Sequence, residues 1–151
     1  MNIEIILDVF ADHFQVLMGD SVRAPLVDTT ALWDLPGRLG TLKGCSEIVG
    51  LGTIRYGGKT GITVRVGDHQ ELPSPDWLLL GKFDLDVPSG RLIFWGPEIE
   101  TTVSAPGVDL SPGGYEGTAF SRGEQNVHDE MDSEGPDEYL IVLSPSGQLQ
   151  R

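Results

Sequence analysis

Basic residues are scarce in this sequence. Ten Lys and Arg stand against 23 Asp and Glu, which gives a formal net charge of −13 at pH 7. Proteins that bind nucleic acids or anionic membranes use Lys and Arg to displace counterions from phosphates. A chain this acidic repels such surfaces. We therefore expect neither direct nucleic-acid binding nor membrane binding.

Cysteine and long apolar runs are also nearly missing. Cys45 is the single cysteine, so no intramolecular disulfide can form. No apolar run approaches the ~20 residues of a membrane span. The opening sequence MNIEIILDVFADHF has acids where a secretory signal peptide needs basic residues. These features predict a soluble, cytoplasmic protein.

Glycine and proline, in contrast, are abundant, with 20 and 10 copies in 151 residues, and most of them lie between short apolar runs. Such positions are typical of tight turns, and a hydrophobic content of 39% is sufficient for a core. The strand-like runs are 47–56, 61–66, 77–87, 91–96, 99–104, 115–122 and 139–144. Together with the amino-terminal segments, they predict an all-β fold. The predicted architecture is a single-domain antiparallel β-sandwich of about eight or nine short strands over residues 1–151.

Two hairpins follow from local patterns. Apolar residues alternate with polar ones in 3–9 and in 14–18, which predicts two half-buried strands that pair with each other. The sequence VPSGR (87–91) combines Pro and Gly in positions typical of a tight reversal. It predicts a second hairpin between the runs 77–87 and 91–96.

The connection 20–44 is long for a compact domain, and long loops are often functional. Its sequence predicts a short helix around 30–35, with Asp28 or the next residue as its cap. Trp33 is a candidate contact residue for a partner. The alternative is that Trp33 and Leu35 only pin the loop onto the sandwich, and the sequence leaves both interpretations open.

Most of the net negative charge comes from one region. Residues 98–138 hold eleven carboxylates and one base, Arg122. Clustered carboxylates raise the negative potential of a surface, which speeds encounter with a basic partner. The candidate partner-binding residues are Asp129, Glu130, Asp132, Glu134, Asp137 and Glu138, together with Trp33. The alternative is that these acids keep the protein soluble and protect the strand that begins at Tyr139 from edge pairing.

Part of the acidic region imitates a calcium loop. Glu130, Asp132, Glu134 and Gly135 fall at positions 1, 3, 5 and 6 of an EF-hand. Position 12, where the loop needs a glutamate, falls on Ile141, and the flanking segments are strand-like. The three histidines and the single cysteine lack the spacing of zinc ligands. No metal site is predicted.

Catalytic motifs are missing as well. The sequence contains no G-x-S-x-G elbow and no phosphate-binding or dinucleotide-binding glycine pattern. Asp84 and Asp86 share one face of a predicted strand with Lys82, which is typical of a solvated strand face and only superficially resembles a glycosidase pair. No catalytic residue and no cofactor are predicted. The alternative is a small-molecule-binding domain or an enzyme, with a pocket in the sandwich or near the 20–44 loop.

Three stretches that span most of the chain resemble a known group of proteins. They are DHFQVLMGD (12–20), LDVPSGRLIFWG (85–96), and PGGYEGTAFSRG (112–123) followed by an acidic gap and DEYLIVLSP (137–145). The group consists of small bacterial all-β proteins and includes the ComJ-like competence proteins, which are regarded as inhibitors of a DNA-entry nuclease. The resemblance implies a β-sandwich without enzyme activity that acts by binding another protein.

The leading hypothesis combines this resemblance with the charge pattern. It is a non-catalytic, cytoplasmic protein-binding module that acts as an inhibitor or immunity protein for a basic partner such as a nuclease. Nuclease clefts are positive, so a carboxylate-rich surface can occupy them by imitating phosphate charge. No oligomeric state is predicted.

Overall fold

The structure is a computed structural model that describes residues 2–67, 73–97 and 105–146. Ten β-strands make up most of these residues. The strands are β1 (Ile3–Ala11), β2 (Gln15–Asp20), β3 (Leu39–Leu42), β4 (Cys45–Gly52), β5 (Gly58–Val66), β6 (Leu78–Val87), β7 (Arg91–Trp95), β8 (Gly107–Asp109), β9 (Gly113–Arg122) and β10 (Glu138–Pro145). Two short 3-10 turns, Ala24–Leu26 and Glu124–Asn126, are the helical elements of these ranges, and neither is long or apolar enough to cross a membrane. The predicted strand 99–104 lies outside the described residues.

The strands form two five-stranded sheets. The first sheet has the order β1-β5-β10-β9-β6, and the second has the order β3-β4-β2-β7-β8. The prediction of an all-β sandwich is confirmed, with ten described strands where about eight or nine were expected. One detail differs, because β10 runs parallel to β5 while the other pairs are antiparallel.

The inner faces of the two sheets share one apolar core. On β5, every second residue from Thr60 to Val66 is buried, and β10 adds Tyr139, Ile141 and Leu143. The second sheet contributes residues such as Phe94, which has no exposed surface. Burial of each large apolar side chain is worth about 1.5–3 kcal/mol relative to exposure. Apolar side chains therefore fill the space between the sheets.

The predicted hairpin of the first two strands is wrong. Strand β1 pairs with β5 over nine residues, from Ile3 opposite Val66 to Ala11 opposite Gly58. Strand β2 pairs instead with β4 and β7 in the second sheet. The alternating pattern locates both strands correctly but carries no information about which neighbour each of them finds.

The second predicted hairpin is also wrong, although its tight turn is present. The amide of Gly90 donates to the carbonyl of Val87 at 3.1 Å, and Gly90 has φ = +77°. The turn crosses from β6 in the first sheet to β7 in the second. The buried carboxylate of Asp20 fixes this crossing, because it accepts hydrogen bonds from the amide and hydroxyl of Ser89 at 2.8 and 2.6 Å.

Residues 21–38 of the connection 20–44 cover the outer face of the second sheet, and residues 39–42 join that sheet as β3. The predicted helix at 30–35 does not form, and the 3-10 turn lies earlier in the loop. Asp28 caps an isolated turn through hydrogen bonds from the amide and hydroxyl of Thr30. Pro36 disfavours the helical conformation of the residue before it, so the turn cannot extend.

A second, smaller apolar cluster holds this connection in place. Leu32 and Ala24 from the loop pack with Leu17 and Ile48 from the sheet, and all four are buried. Trp33 packs against the same cluster. The part of the 20–44 loop that precedes β3 is therefore a covering layer of the sandwich.

Candidate functional site

The acidic loop, defined here as residues 127–137, joins the Glu124–Asn126 turn to β10. It lies along the segment 53–59, to which its backbone is bonded at several points. The amide of Tyr56 donates to the carbonyl of Glu130 at 2.7 Å, and the amide of Lys59 donates to the carbonyl of Ser133 at 2.8 Å. These contacts give the loop a fixed backbone path.

A buried ion pair secures the end of the acidic loop. Arg55 is 1% exposed, and its Nε donates to Oδ1 of Asp137 at 2.6 Å. Its two terminal nitrogens donate to the carbonyls of Gly57, Lys59 and Asp132 at 2.8–3.1 Å. A buried charge pair of this kind is stable only when its remaining hydrogen-bonding groups are satisfied. Here three backbone carbonyls satisfy the guanidinium.

Tyr139 completes this buried network. Its hydroxyl donates to Oδ2 of Asp137 and accepts from the amide of Ile54, both at 2.9 Å. Burial raises the pKa of Tyr139 well above its ordinary value, and the neighbouring charge of Asp137 acts in the same direction. The tyrosine therefore acts as a neutral hydrogen-bonding bridge between β10 and the segment 53–59.

Two glycines allow the loop to approach this segment closely. A Cβ atom on Gly58, whose φ is +93°, would lie 2.3 Å from the carbonyl oxygen of Ser133. A Cβ atom on Gly135 would lie 2.6 Å from Nε of Arg55. Neither contact is sterically possible, so the close packing depends on both glycines.

The structure divides the six acidic candidates into three groups. Asp137 is 2% exposed and bound to Arg55, so it cannot contact a partner directly, which corrects its assignment as a contact residue. Glu138 is exposed, but its carboxylate lies 3.2 Å from Arg122. The remaining four carboxylates are exposed and form no ion pair within the described residues; they are Asp129, Glu130, Asp132 and Glu134.

The described arginines are already engaged by other acids. Each of the six forms an ion pair within 4 Å: Arg23 with Glu47, Arg38 with Glu124, Arg55 with Asp137, Arg65 with Glu4, Arg91 with Asp109, and Arg122 with Glu138. None of these pairs involves the four exposed carboxylates of the acidic loop. The negative potential of that loop therefore faces solvent.

An open hollow of about 440 Å³ lies beside the acidic loop. We call it the aromatic hollow, and its lining includes His13, Phe14, Trp33, Arg38, Ile54 and Glu130. It brings together two candidates that the sequence placed far apart, Trp33 from the 20–44 loop and Glu130 from the acidic loop. No sequence pattern indicated that Phe14 belongs to the same site.

Trp33 has a structural role as well as a position in the hollow. Its indole nitrogen donates to Oε1 of Gln15 at 2.9 Å, and its ring leaves no room for side chains at Gly40 and Gly50. The interpretation that Trp33 pins the loop therefore fits its contacts. The same interpretation is wrong for Leu35, which is 74% exposed.

The turn at His13 and Phe14 has an unusual backbone. Both residues are left-handed, with φ of +52° and +60°, a conformation that costs roughly 1–2 kcal/mol for each non-glycine residue. The turn is held to the segment 53–56 by a bond from the Phe14 amide to the Tyr56 carbonyl at 2.7 Å. The Phe14 ring also meets the Tyr56 ring edge-on, with 5.3 Å between the centroids. Two-residue turns usually contain Asn-Gly. Bulky residues at both turn positions are unusual, and this departure is the signal that could have drawn attention to the turn in the sequence.

Arg38 and Glu124 balance each other at the hollow. Arg38 donates to both carboxylate oxygens of Glu124, at 2.7 and 3.2 Å, and to the carbonyl of Gly52. Burial opposes the charge on each group, but the hydrogen bonds and charge of the partner outweigh it. The pKa of Glu124 is therefore lowered and that of Arg38 is raised.

The described residues contain no group of three or more His, Cys, Asp or Glu side chains that could hold a metal ion. Apolar side chains occupy the space between the described parts of the sheets, and a second open hollow, of about 530 Å³, is lined by residues that include Ile3, Val66 and Tyr115. Near the 20–44 loop, the aromatic hollow is the relevant concavity. Arg38 in its lining is bound to Glu124, which lies outside the lining.

Comparison with known proteins reveals two similar folds. No protein-family model and no curated protein matches the sequence. A solved structure described as "Crocagin biosynthetic gene J" is 21% identical, with a TM-score of 0.62 and 97% of each chain covered. A second, ComJ from Bacillus subtilis, is described as an inhibitor of the DNA degrading activity of NucA. It is 13% identical, with a TM-score of 0.64, and the match covers 96% of this chain and 95% of that chain. The resemblance predicted from the sequence is thus confirmed at the level of structure, and the chain has the fold of the ComJ-like group.

Proposed function

We propose that this protein is a non-catalytic binding module that inhibits a basic protein partner, such as a nuclease, through its acidic loop. The observation that carries the proposal is a set of four exposed carboxylates that form no ion pair with any described residue, on a loop whose backbone is fixed. Asp129 and Glu130 belong to this set, as do Asp132 and Glu134. A basic surface is the complementary partner for such a group.

The fixed backbone of the loop favours binding. A mobile acidic segment would lose backbone freedom on association, at about 1–2 kcal/mol for each residue that becomes ordered. The buried pair of Arg55 and Asp137, together with the backbone bonds to the segment 53–59, imposes the loop path before a partner arrives. The free-energy cost of ordering the loop backbone is therefore incurred during folding and not during binding.

The comparison with ComJ supports the inhibitor class. One of the two similar structures is described as an inhibitor of a DNA degrading activity, and the other by a role in crocagin biosynthesis. Identities this low show only that the folds are similar. The proposal of a nuclease partner therefore depends on the charge argument. A nuclease cleft binds phosphates through basic groups, and carboxylates at a similar position can occupy it.

The test is a pull-down from a lysate of the source organism at low and high salt, with the captured proteins identified by mass spectrometry. We expect a basic protein that is retained at 0.1 M salt, where the Debye length is about 10 Å, and lost near 1 M, where it is about 3 Å. If the captured protein degrades DNA, adding an excess of the purified acidic protein should suppress that activity.

A matched pair of variants makes the test specific. Asp132→Asn/Glu134→Gln removes two charges from the acidic loop, whereas Asp84→Asn/Glu116→Gln removes two exposed charges from paired positions on the first sheet. We expect capture to weaken with the first variant and to persist with the second. Equal capture by both variants, or capture that is insensitive to salt, would contradict the proposal.

A further inference from the structure

We propose that the aromatic hollow receives a single lysine or arginine side chain of the partner protein. This inference rests on the proposed function. It identifies the part of the surface that determines the position of the partner on the protein. The hollow has a volume of about 440 Å³, which is within the ordinary size range of pockets that enclose small ligands or individual side chains.

The walls of the hollow suit a cation. Phe14 and Trp33 both line it, and Tyr56 packs edge-on against the Phe14 ring at 5.3 Å. Aromatic faces attract ammonium and guanidinium groups, and the attraction grows when water is excluded. The methylene stem of Lys or Arg can also pack against aromatic rings. A long cationic side chain thus matches both the polar and the apolar parts of the lining.

The charge of the hollow favours the same occupant. Arg38 is balanced by the two oxygens of Glu124 and by the carbonyl of Gly52. Glu130 also lines the hollow and forms no ion pair within the described ranges. The neighbouring exposed acids, Asp129 and Asp132, add further negative potential. An anionic side chain would be repelled here, whereas a cation would find an unpaired carboxylate.

The strained turn gives a separate reason to assign a role to Phe14. Its φ of +60° is unfavourable for an aromatic residue, and the residue is still 36% exposed. A glycine would form the same turn without strain. Strained positions of this kind cluster at binding sites, where the geometry serves the site. Here the strain presents the phenylalanine ring at the opening between the acidic loop and the 20–44 loop.

The hollow can be tested without knowing the partner. The probes are the peptides acetyl-Gly-Arg-Gly-amide and acetyl-Gly-Lys-Gly-amide, with acetyl-Gly-Gln-Gly-amide as the neutral control. The readout is the NMR signal of the Trp33 indole N–H, which donates to Gln15 beside the hollow. We expect millimolar Arg or Lys peptide to shift this signal and the Gln peptide to leave it in place.

Two variants assign the effect to the hollow. Glu130→Gln and Phe14→Leu should each weaken binding of the Arg peptide by about fivefold. Glu134→Gln removes a charge from the same loop but does not line the hollow, and it should change binding by less than about threefold. An indole signal that does not respond to either cationic peptide, or that responds equally to the Gln peptide, would overturn the inference.

The partner assay separates this inference from the proposed function. If Asp132→Asn/Glu134→Gln abolishes capture of the basic partner while Glu130→Gln and Phe14→Leu leave it unchanged, the proposed function stands and the hollow has no part in it. If no basic partner is captured but the Arg peptide still shifts the indole signal, the hollow binds cations and the proposed function fails.

Discussion

The two long connections of this sandwich are fixed in opposite ways. The 20–44 loop buries apolar side chains, Leu32 and Ala24 among them, against the second sheet. The acidic loop buries a charge pair, Arg55 with Asp137, and bonds its backbone to the segment 53–59. In the first case side chains hold the loop. In the second, the backbone and one carboxylate hold it, and the other acidic side chains remain available to solvent.

The largest effect should come from breaking the charge pair. Arg55→Met leaves Asp137 buried without its partner, which typically costs about 3–5 kcal/mol. Urea unfolding at pH 7 measures the loss. Hydrogen exchange of the Tyr56 and Lys59 amides, which donate to the acidic loop, should accelerate together.

Arg65→Met is the matched control for this change. Its guanidinium pairs with Glu4 on an exposed part of the first sheet, where an ion pair is worth about 0–1 kcal/mol. If the two variants lose the same stability, the acidic loop does not depend on its buried pair, and the contrast between the two connections disappears.

The second effect concerns the apolar connection. Leu32 is 3% exposed, and Leu32→Ala should cost about 2–5 kcal/mol through lost burial and a residual cavity. Leu35→Ala, at a position that is 74% exposed, should cost less than about 0.5 kcal/mol. The urea concentrations at which the two variants are half unfolded test this prediction. Equal midpoints would show that Leu32 does not hold the loop.

The sequence could predict where the strands lie but not how they pair. Alternation located β1, β2 and β6, because burial of one face imposes a period of two. Pairing depends on which strands meet in space, and both predicted hairpins turned out to connect different sheets. A tight turn such as VPSGR reverses the chain equally well within a sheet or between two sheets.

The acidic region shows the same limit at the level of the site. Its charge is visible in the sequence, but Asp137 is equivalent there to its acidic neighbours. What distinguishes it is Arg55, which lies 82 positions earlier in the chain. The aromatic hollow likewise combines Phe14, Trp33 and Glu130 from three separate segments. No local pattern links them.

The third effect is expected to be small because two contributions oppose each other. Phe14→Gly relieves backbone strain of about 1–2 kcal/mol and removes an edge-to-face ring contact worth about 0.5–1.5 kcal/mol. The unfolding free energy should therefore change by less than about 1 kcal/mol, as measured in urea. A loss above about 3 kcal/mol would instead identify Phe14 as a core residue, and its strained position would then need no binding role.

The last effect lies where the two connections meet, at the ion pair between Arg38 of the 20–44 loop and Glu124 next to the acidic loop. Although burial opposes its charge, the hydrogen bonds from Arg38 lower the pKa of Glu124 below its ordinary value. A carboxylate with a lowered folded-state pKa contributes stability that is fully present above the unfolded-state pKa, about 4.3, and is lost as the pH falls through the folded-state value. Glu124→Gln should therefore lower the unfolding free energy by about 1 kcal/mol at pH 7, and the difference from the unmodified protein should shrink as the medium becomes more acidic. Glu116→Gln removes the same formal charge far from Arg38 and serves as the control in urea titrations between neutral and acidic pH. A Glu124→Gln deficit that persists unchanged at low pH would mean that the side chain stabilises the junction through packing and not through its charge.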